Sequence, residues 1–188
     1  MSQAVRNMSS GRVPAWAVSN IHNADGRSHQ MDDIEFRRVM GHFATGVAVV
    51  TAATAAGEPC GLTANAISSV SLDPTLVLVC VERTADTEAV IRDAGAFAIN
   101  ILPEEGGETL ARRFAELDSG DRFAGVAYRS GSTGAPLLDR ALGWLDCSVQ
   151  ETLPGGDHTI FLGRVVGGDA DEGTPLIYYR GGYGRFQP

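Results

Sequence analysis

Polar and apolar positions alternate with two different periods along this chain, and the changes of period mark out its elements. Residues 1–30 show neither period and are rich in Ser, Asn, Gly and Arg, the composition of a disordered extension; a translation start at Met31 is the second reading. Asp32 or Asp33 then caps a predicted helix in which Phe36, Val39, Met40 and Phe43 fall at i, i+3, i+4 and i+7, a stripe expected to face the core and to end before Gly46. Residues 47–53 and 60–68 read as strands joined by a turn at 56–59, a loop too long for a tight primed turn. The apolar run 76–81 reads as a strand buried on both faces.

Thr84 or Asp86 caps a short helix ending at Gly95, residues 97–102 form the next strand, and 108–117 a second short helix. After a Gly- and Ser-punctuated stretch, residues 142–153 and 158–166 flank Pro154, Gly155, Gly156 and Asp157 as a long antiparallel hairpin. Residues 176–180 make a last strand, followed by an irregular tail at Gly181, Gly182, Tyr183 and Gly184. About seven strands with hairpin-length connections predict a mainly β protein: an antiparallel sheet closed on itself, with a few short peripheral helices. Residues 31–188 form one domain by length.

Composition narrows the chemistry. A formal charge of −8 and a pI near 4.9 argue against a nucleic-acid or anionic membrane surface. All fifteen basic residues are arginine, so mechanisms that need a Schiff-base lysine, a pyridoxal aldimine or a P-loop lysine are excluded. Cys60, Cys80 and Cys147 are widely spaced in apolar stretches, which favours buried reduced thiols and a cytoplasmic location over a disulfide framework or zinc site. No apolar run approaches the ~20 residues of a membrane span. The four histidines lack paired metal-ligand spacing, and no nucleophile elbow is present. The glycines at 181, 182 and 184 have no helix after them to receive a pyrophosphate, so they are not a dinucleotide fingerprint.

The most informative stretch is 61–84, where a hydroxyl-rich segment meets an apolar one across Asp73 and Pro74. Thr63, Asn65, Ser68 and Ser69 offer hydrogen-bonding groups on short side chains, while Ala64 and Ala66 leave room for a flat ligand. Glu82, Arg83 and Thr84 put a guanidinium and a hydroxyl at the strand's mouth. A planar heterocycle rimmed with polar groups suits this pattern, and flavin is the ligand it suggests; an ordinary Ser/Thr-rich edge hairpin is the bland alternative.

Together with FATGVAVVT at 43–51, FAIN at 97–100, Phe114 and Ala115, DRFAG at 121–125, GDHTIFLG at 156–163 and PLIYYRGGY at 175–183, this block resembles the short-chain flavin reductases of two-component monooxygenases. The resemblance runs from Ile34 to Phe186. It implies an FMN-binding split β-barrel working as a homodimer, with flavin near the subunit interface. It implies further that Thr45, Gly46 and Val47 approach the isoalloxazine, and that Thr63, Ala64, Asn65, Ser68 and Ser69 hold its ring edge and ribityl chain. Cys80, Val81, Arg83 and Thr84 would then lie near the flavin phosphate. Asn100, Phe114, Ala115 and Tyr183 join the cofactor-binding set, with Tyr183 and Arg185 bordering the nicotinamide pocket. His158 is the catalytic candidate nearest the nicotinamide, with Asp157 either fixing its tautomer or serving the turn.

The implied activity is reduction of FMN or FAD by NADH or NADPH, the reduced flavin diffusing to a separate monooxygenase component. A non-catalytic flavin carrier of the same fold is the alternative, and a pyridoxine-phosphate oxidase is a weaker one for want of a basic cluster. Read without the resemblance, His158 opens a strand as structural histidines do, and Phe114 is core by its spacing from Leu110.

Overall fold

The computed structural model describes residues 31–116 and 121–187. It falls into two units, 1–40 and 41–188. The expected extension at 1–30 lies outside the described residues.

In the first unit, helix α1 (Asp33–Met40) begins where Asp32 Oδ1 accepts the Glu35 amide at 2.7 Å, the cap read from the sequence. Its apolar stripe is not core. Phe36, Val39 and Met40 are 55%, 47% and 49% exposed, and Phe43, beyond the helix end, is 70% exposed. The period of the stripe is right, but within this unit it is left exposed.

The second unit is mainly β, with antiparallel pairing throughout. Its elements are β1 (Thr45–Gly46), β2 (Ala48–Ala53), β3 (Pro59–Ala64), β4 (Ile67–Leu72), β5 (Thr75–Glu82), α2 (Asp86–Ala94), β6 (Ala96–Ile101) and α3 (Glu104–Glu116). After these come β7 (Tyr128–Ser130), β8 (Pro136–Leu138), β9 (Gly143–Gly155), β10 (His158–Ala170), β11 (Leu176–Tyr179) and β12 (Gly182–Arg185). Seven strands form one sheet in the order β3-β2-β6-β9-β10-β5-β4; β1, β11 and β12 form a second, and β7 with β8 a third.

One connection dictates the shape of the large sheet. Six inter-strand steps of about 4.8 Å would hold β3 and β4 about 29 Å apart if the sheet were flat. These two edge strands are joined only by Asn65 and Ala66, which span at most about 11 Å. The sheet must therefore curl until its edges approach, and the Cys80 amide of β5 meets the Ala66 carbonyl at 3.0 Å. The single strand expected over 60–68 is thus two strands on opposite edges, broken where the chain turns the corner.

The concave side holds the main core, in which Val50, Val79, Val81, Phe97, Ile99 and Phe161 are packed with Ile91 of α2. Gly163 permits that packing, because a Cβ there would lie 2.5 Å from Phe97 Cζ. Strand β2 is buried on both sides: Val49 on its other face joins Phe114, Ala111, Leu138 and Leu176 in a second cluster. Strand β5 is not doubly buried, for Val77, Val79 and Val81 point inward while Leu78 and Cys80 are only half-buried. Helix α2 has Ala85 at its N-cap rather than Thr84 or Asp86. Helix α3 contains non-helical backbone at Glu105 and Gly106, so its regular part matches the expected second helix. The expected irregular tail is β12, which pairs with β11, and β7 with β8 is a hairpin the sequence pattern did not reveal.

Candidate functional site

Strand β5 organises the site. Ser68 of β4 stands opposite Leu78, and His158 of β10 opposite Glu82. These positions are four residues apart along β5, or about 14 Å. Because Cβ directions alternate, Leu78, Cys80 and Glu82 share one outward face with Ile160 and Leu162, which pair with Cys80 and Leu78. The result is a half-buried apolar floor, bounded by Ser68 on one side and by His158 at the end.

The 156–157 turn builds that end. Gly155 and His158 are paired, so only Gly156 and Asp157 connect β9 to β10, and Gly156 takes φ +73°, which suits a primed two-residue turn. This fold-back brings the Asp157 carbonyl to the Arg83 amide at 3.0 Å. It also sets Asp157 Oδ1 2.8 Å from His158 Nδ1. A carboxylate only accepts, so Nδ1 carries the proton and Nε2 is the nitrogen left for a further partner. Arg83 is exposed; among the described residues its guanidinium makes one long hydrogen bond, 3.4 Å to the Gly156 carbonyl, and no ion pair. The Thr84 hydroxyl donates to Glu82 Oε1 at 2.8 Å.

The corner between β3 and β4 flanks the floor on the β4 side, level with Cys80. Asn65 Nδ2 donates to Thr45 Oγ1 at 3.2 Å, and the neighbouring Ala66 carbonyl receives the Cys80 amide. Gly46 adjoins Thr45 and has nothing within 4 Å of where a Cβ would stand. Opposite Thr45 is Tyr178, which meets Tyr183 edge-on with ring centroids 5.5 Å apart. Arg112 of α3, absent from the sequence reading, lies 5.3 Å from the Tyr183 ring centre. Burial raises the Tyr183 phenol, with Tyr178, Glu108 and Glu116 adding to the effect and Arg112 opposing it.

The structure thus gathers Thr45, Gly46, Asn65, Ser68, Cys80, Arg83, Thr84 and His158 around one strip, with Ser69 exposed beside Ser68. Other expected residues have their side chains elsewhere. Ala64, Val81 and Phe114 are core, and Val47 is buried with its carbonyl taken by the Leu102 amide. Thr63 donates its hydroxyl to the Ala111 carbonyl at 2.6 Å, because it lies on the face covered by α3. Ala115 is on the exposed side of α3.

Asn100 is fully buried. Its Nδ2 donates to Val49 O and Thr51 Oγ1, both at 3.1 Å, and Oδ1 accepts the Leu138 amide at 2.8 Å. This amide pins the β7–β8 hairpin to the sheet. Its side chain is thus taken up by bonds within the protein. Phe114 follows the same rule, packing edge-on against Phe123 at 5.0 Å.

Two cavities lie away from the strip. One of about 100 Å³ is bordered by Arg129, Asp139 and Trp144. The other, about 610 Å³, lies between Thr54, Val90, Asp93 and Thr133. The larger has room for a ligand, but the charged lining group among the described residues is the Asp93 carboxylate, which repels phosphate.

Flavin chemistry fits the strip by its donor set: an exposed arginine that makes no ion pair among the described residues at one end, serine hydroxyls at the other, the Asn65 amide along the β4 side, and an apolar floor between them. The chain is similar to known flavin reductases. The reductase component of a 4-nitrophenol 4-monooxygenase/4-nitrocatechol 2-monooxygenase from Rhodococcus opacus is 46% identical over 84% of this chain and 83% of its own. A probable flavin reductase of Rhizobium meliloti is 43% identical over 81% of this chain, which spans only 48% of that longer protein. A Streptomyces globisporus NADH:FAD oxidoreductase, solved in complex with NAD and FAD fragments, superposes with a TM-score of 0.76 at 40% identity, over 84% of this chain and 94% of that one. Residues 40–187 match the flavin reductase like domain, and the chain belongs to that family.

Proposed function

We propose that this chain is an NAD(P)H-dependent flavin reductase that reduces FMN or FAD and releases it to a separate monooxygenase component. The observation that carries this reading is the pairing of Arg83 with the Asp157–His158 turn at the end of the β5 strip. When bound, the flavin supplies the hydride-accepting ring. The protein's work is to bind, orient and exclude water, since this reaction needs little acid–base help.

Arg83 is assigned to the flavin phosphate, where its fork forms charge-assisted hydrogen bonds in a chain of −8 net charge. Asn65 and Thr45 are assigned to the ring edge, and Ser68 and Ser69 to polar groups along the ribityl chain. Asp157 fixes the His158 tautomer so that Nε2 faces the nicotinamide side. The small side chains of this lining suit a flavin that dissociates between turnovers.

The same reading includes a homodimer and a closed split barrel. The strip is open on one chain, and the exposed stripe of α1 is the kind of surface an isologous contact covers. No helix among the described residues is long and apolar enough to cross a membrane.

The test is NADH and NADPH oxidation followed at 340 nm with and without added FMN or FAD. Flavin-dependent turnover supports the reductase, and flavin binding without turnover supports a carrier instead. His158→Ala is expected to lower the rate more than the flavin affinity; unchanged kinetics with both nucleotides removes its nicotinamide role.

A further inference from the structure

Helix α2 carries a glutamate that its sequence gives no reason to single out. Glu88 is 6% exposed, although a charged residue in a short amphipathic helix ordinarily faces water. Its Oε1 accepts the Thr159 hydroxyl at 2.6 Å and the Arg92 guanidinium, and Arg92 also reaches Thr159 Oγ1 at 3.3 Å. Burial opposes ionisation of this carboxyl, but the hydrogen bonds from Thr159 and Arg92 and the charges of Arg92 and Arg83 outweigh it and hold the group below its ordinary value.

The position of this network matters because of what it brackets. Thr159 directly follows His158 on β10, and Glu88 lies in the first turn of α2. Between the end of β5 at Glu82 and the start of α2 at Asp86 only Arg83, Thr84 and Ala85 intervene. One end of that connection is held to β10 through β5 pairing, with Val81 opposite Thr159, and by the Arg83 amide on Asp157 O. Its other end is held by the Ala85 amide on the Glu82 carbonyl, by Ile91 of α2 in the main core, and, on the β10 side, by the Glu88–Thr159 bond.

We propose that Glu88 and Thr159 are positioning residues for the flavin phosphate site: their buried hydrogen bond fixes α2 to β10 and so sets the three-residue connection that carries Arg83. This rests on the assignment of Arg83 to the flavin phosphate. Neither residue touches the flavin. Both act through the placement of the guanidinium, so their loss is felt by a phosphorylated flavin and not by one that lacks the phosphate.

Thr159→Val removes only the hydroxyl and keeps the volume and strand preference of the site. The dissociation constants of FMN and riboflavin are measured by quenching of flavin fluorescence for the wild type, T159V, T159S, E88Q and R83A. R83A is expected to abolish the preference for FMN over riboflavin. T159V is expected to reduce that preference about three- to tenfold with little change in riboflavin affinity, the scale of one hydrogen bond. T159S, which keeps the donor, restores it, and E88Q, which keeps the acceptor for Thr159, retains most of it. If R83A loses the preference while T159V keeps it, or if T159V weakens both flavins equally, the positioning role is wrong. If R83A itself keeps the preference, the phosphate assignment fails, and the proposal fails with it.

Discussion

Asn100→Ala separates a structural amide from a ligand. The substitution removes the Oδ1 that accepts the Leu138 amide at 2.8 Å and the Nδ2 that donates to Val49 O and Thr51 Oγ1 at 3.1 Å. No water reaches this site, because Asn100 is completely buried. Leaving the Leu138 N–H unpaired costs about 1–3 kcal/mol, and each lost Nδ2 bond about 0.5–1.5 kcal/mol. The total is about 2–6 kcal/mol, partly limited by the Thr51 hydroxyl, which keeps its own bond to the Pro136 carbonyl. For a chain of this length each kcal/mol lowers Tm by about 2–4 °C, so a fall of about 4–24 °C is expected. Differential scanning fluorimetry measures the shift, and flavin fluorescence quenching at a temperature well below the variant's Tm measures the affinity of the folded fraction. The affinity should change less than about threefold, since a distant structural change leaves the strip intact. A Tm within a degree or two of wild type together with a tenfold loss of FMN affinity would refute the argument and return Asn100 to the ligand set.

Three further outcomes follow from the packing and the ionisable groups. Gly163→Ala drives a methyl group toward Phe97 and should cost about 1–3 kcal/mol, read as a lower urea midpoint with unchanged slope. The lowered Glu88 carboxyl contributes stability that is fully present above its ordinary value of 4.5 and is lost as pH falls from there through the folded-state value; a pH series of urea midpoints should show a shallower acid limb for E88Q than for wild type. Burial raises all three thiols, most of all Cys147, which burial and the Asp146 charge push up to about 12, so native protein should react with a thiol reagent slowly and at the half-buried Cys80 first, and all three should titrate in urea. Because Cys80 lies in the floor of the strip, added FMN should slow its labelling.

The elements with a strong period were legible in the sequence. The β2 run, α2 and the β9–β10 hairpin stand close to where alternation and turn residues put them, since each buries a regular face. Elements whose residues carry no period were not. Strand β12 contains Gly182, Tyr183 and Gly184, and only backbone pairing with β11 makes it a strand. The corner at Asn65 and Ala66 was hidden because small residues do not signal that a chain is leaving one sheet edge for another.

At the site the residue types were readable but their facing was not. Thr63 and Asn65 look equivalent in sequence, yet α3 covers the first and leaves the second exposed. Glu88 carried no signal at all, because the partner that buries it lies 71 positions away. The α1 stripe shows the converse error: a helical apolar period says that a face needs covering and does not say by what.

The most direct test of the central claim is a crystal structure of the protein grown with FMN. The account predicts the ring along the outward face of β5 between Asn65 and His158, with the phosphate on Arg83. FMN found in the cavity between Thr54, Val90 and Asp93, or at any place that leaves Arg83 and Asn65 untouched, would contradict it.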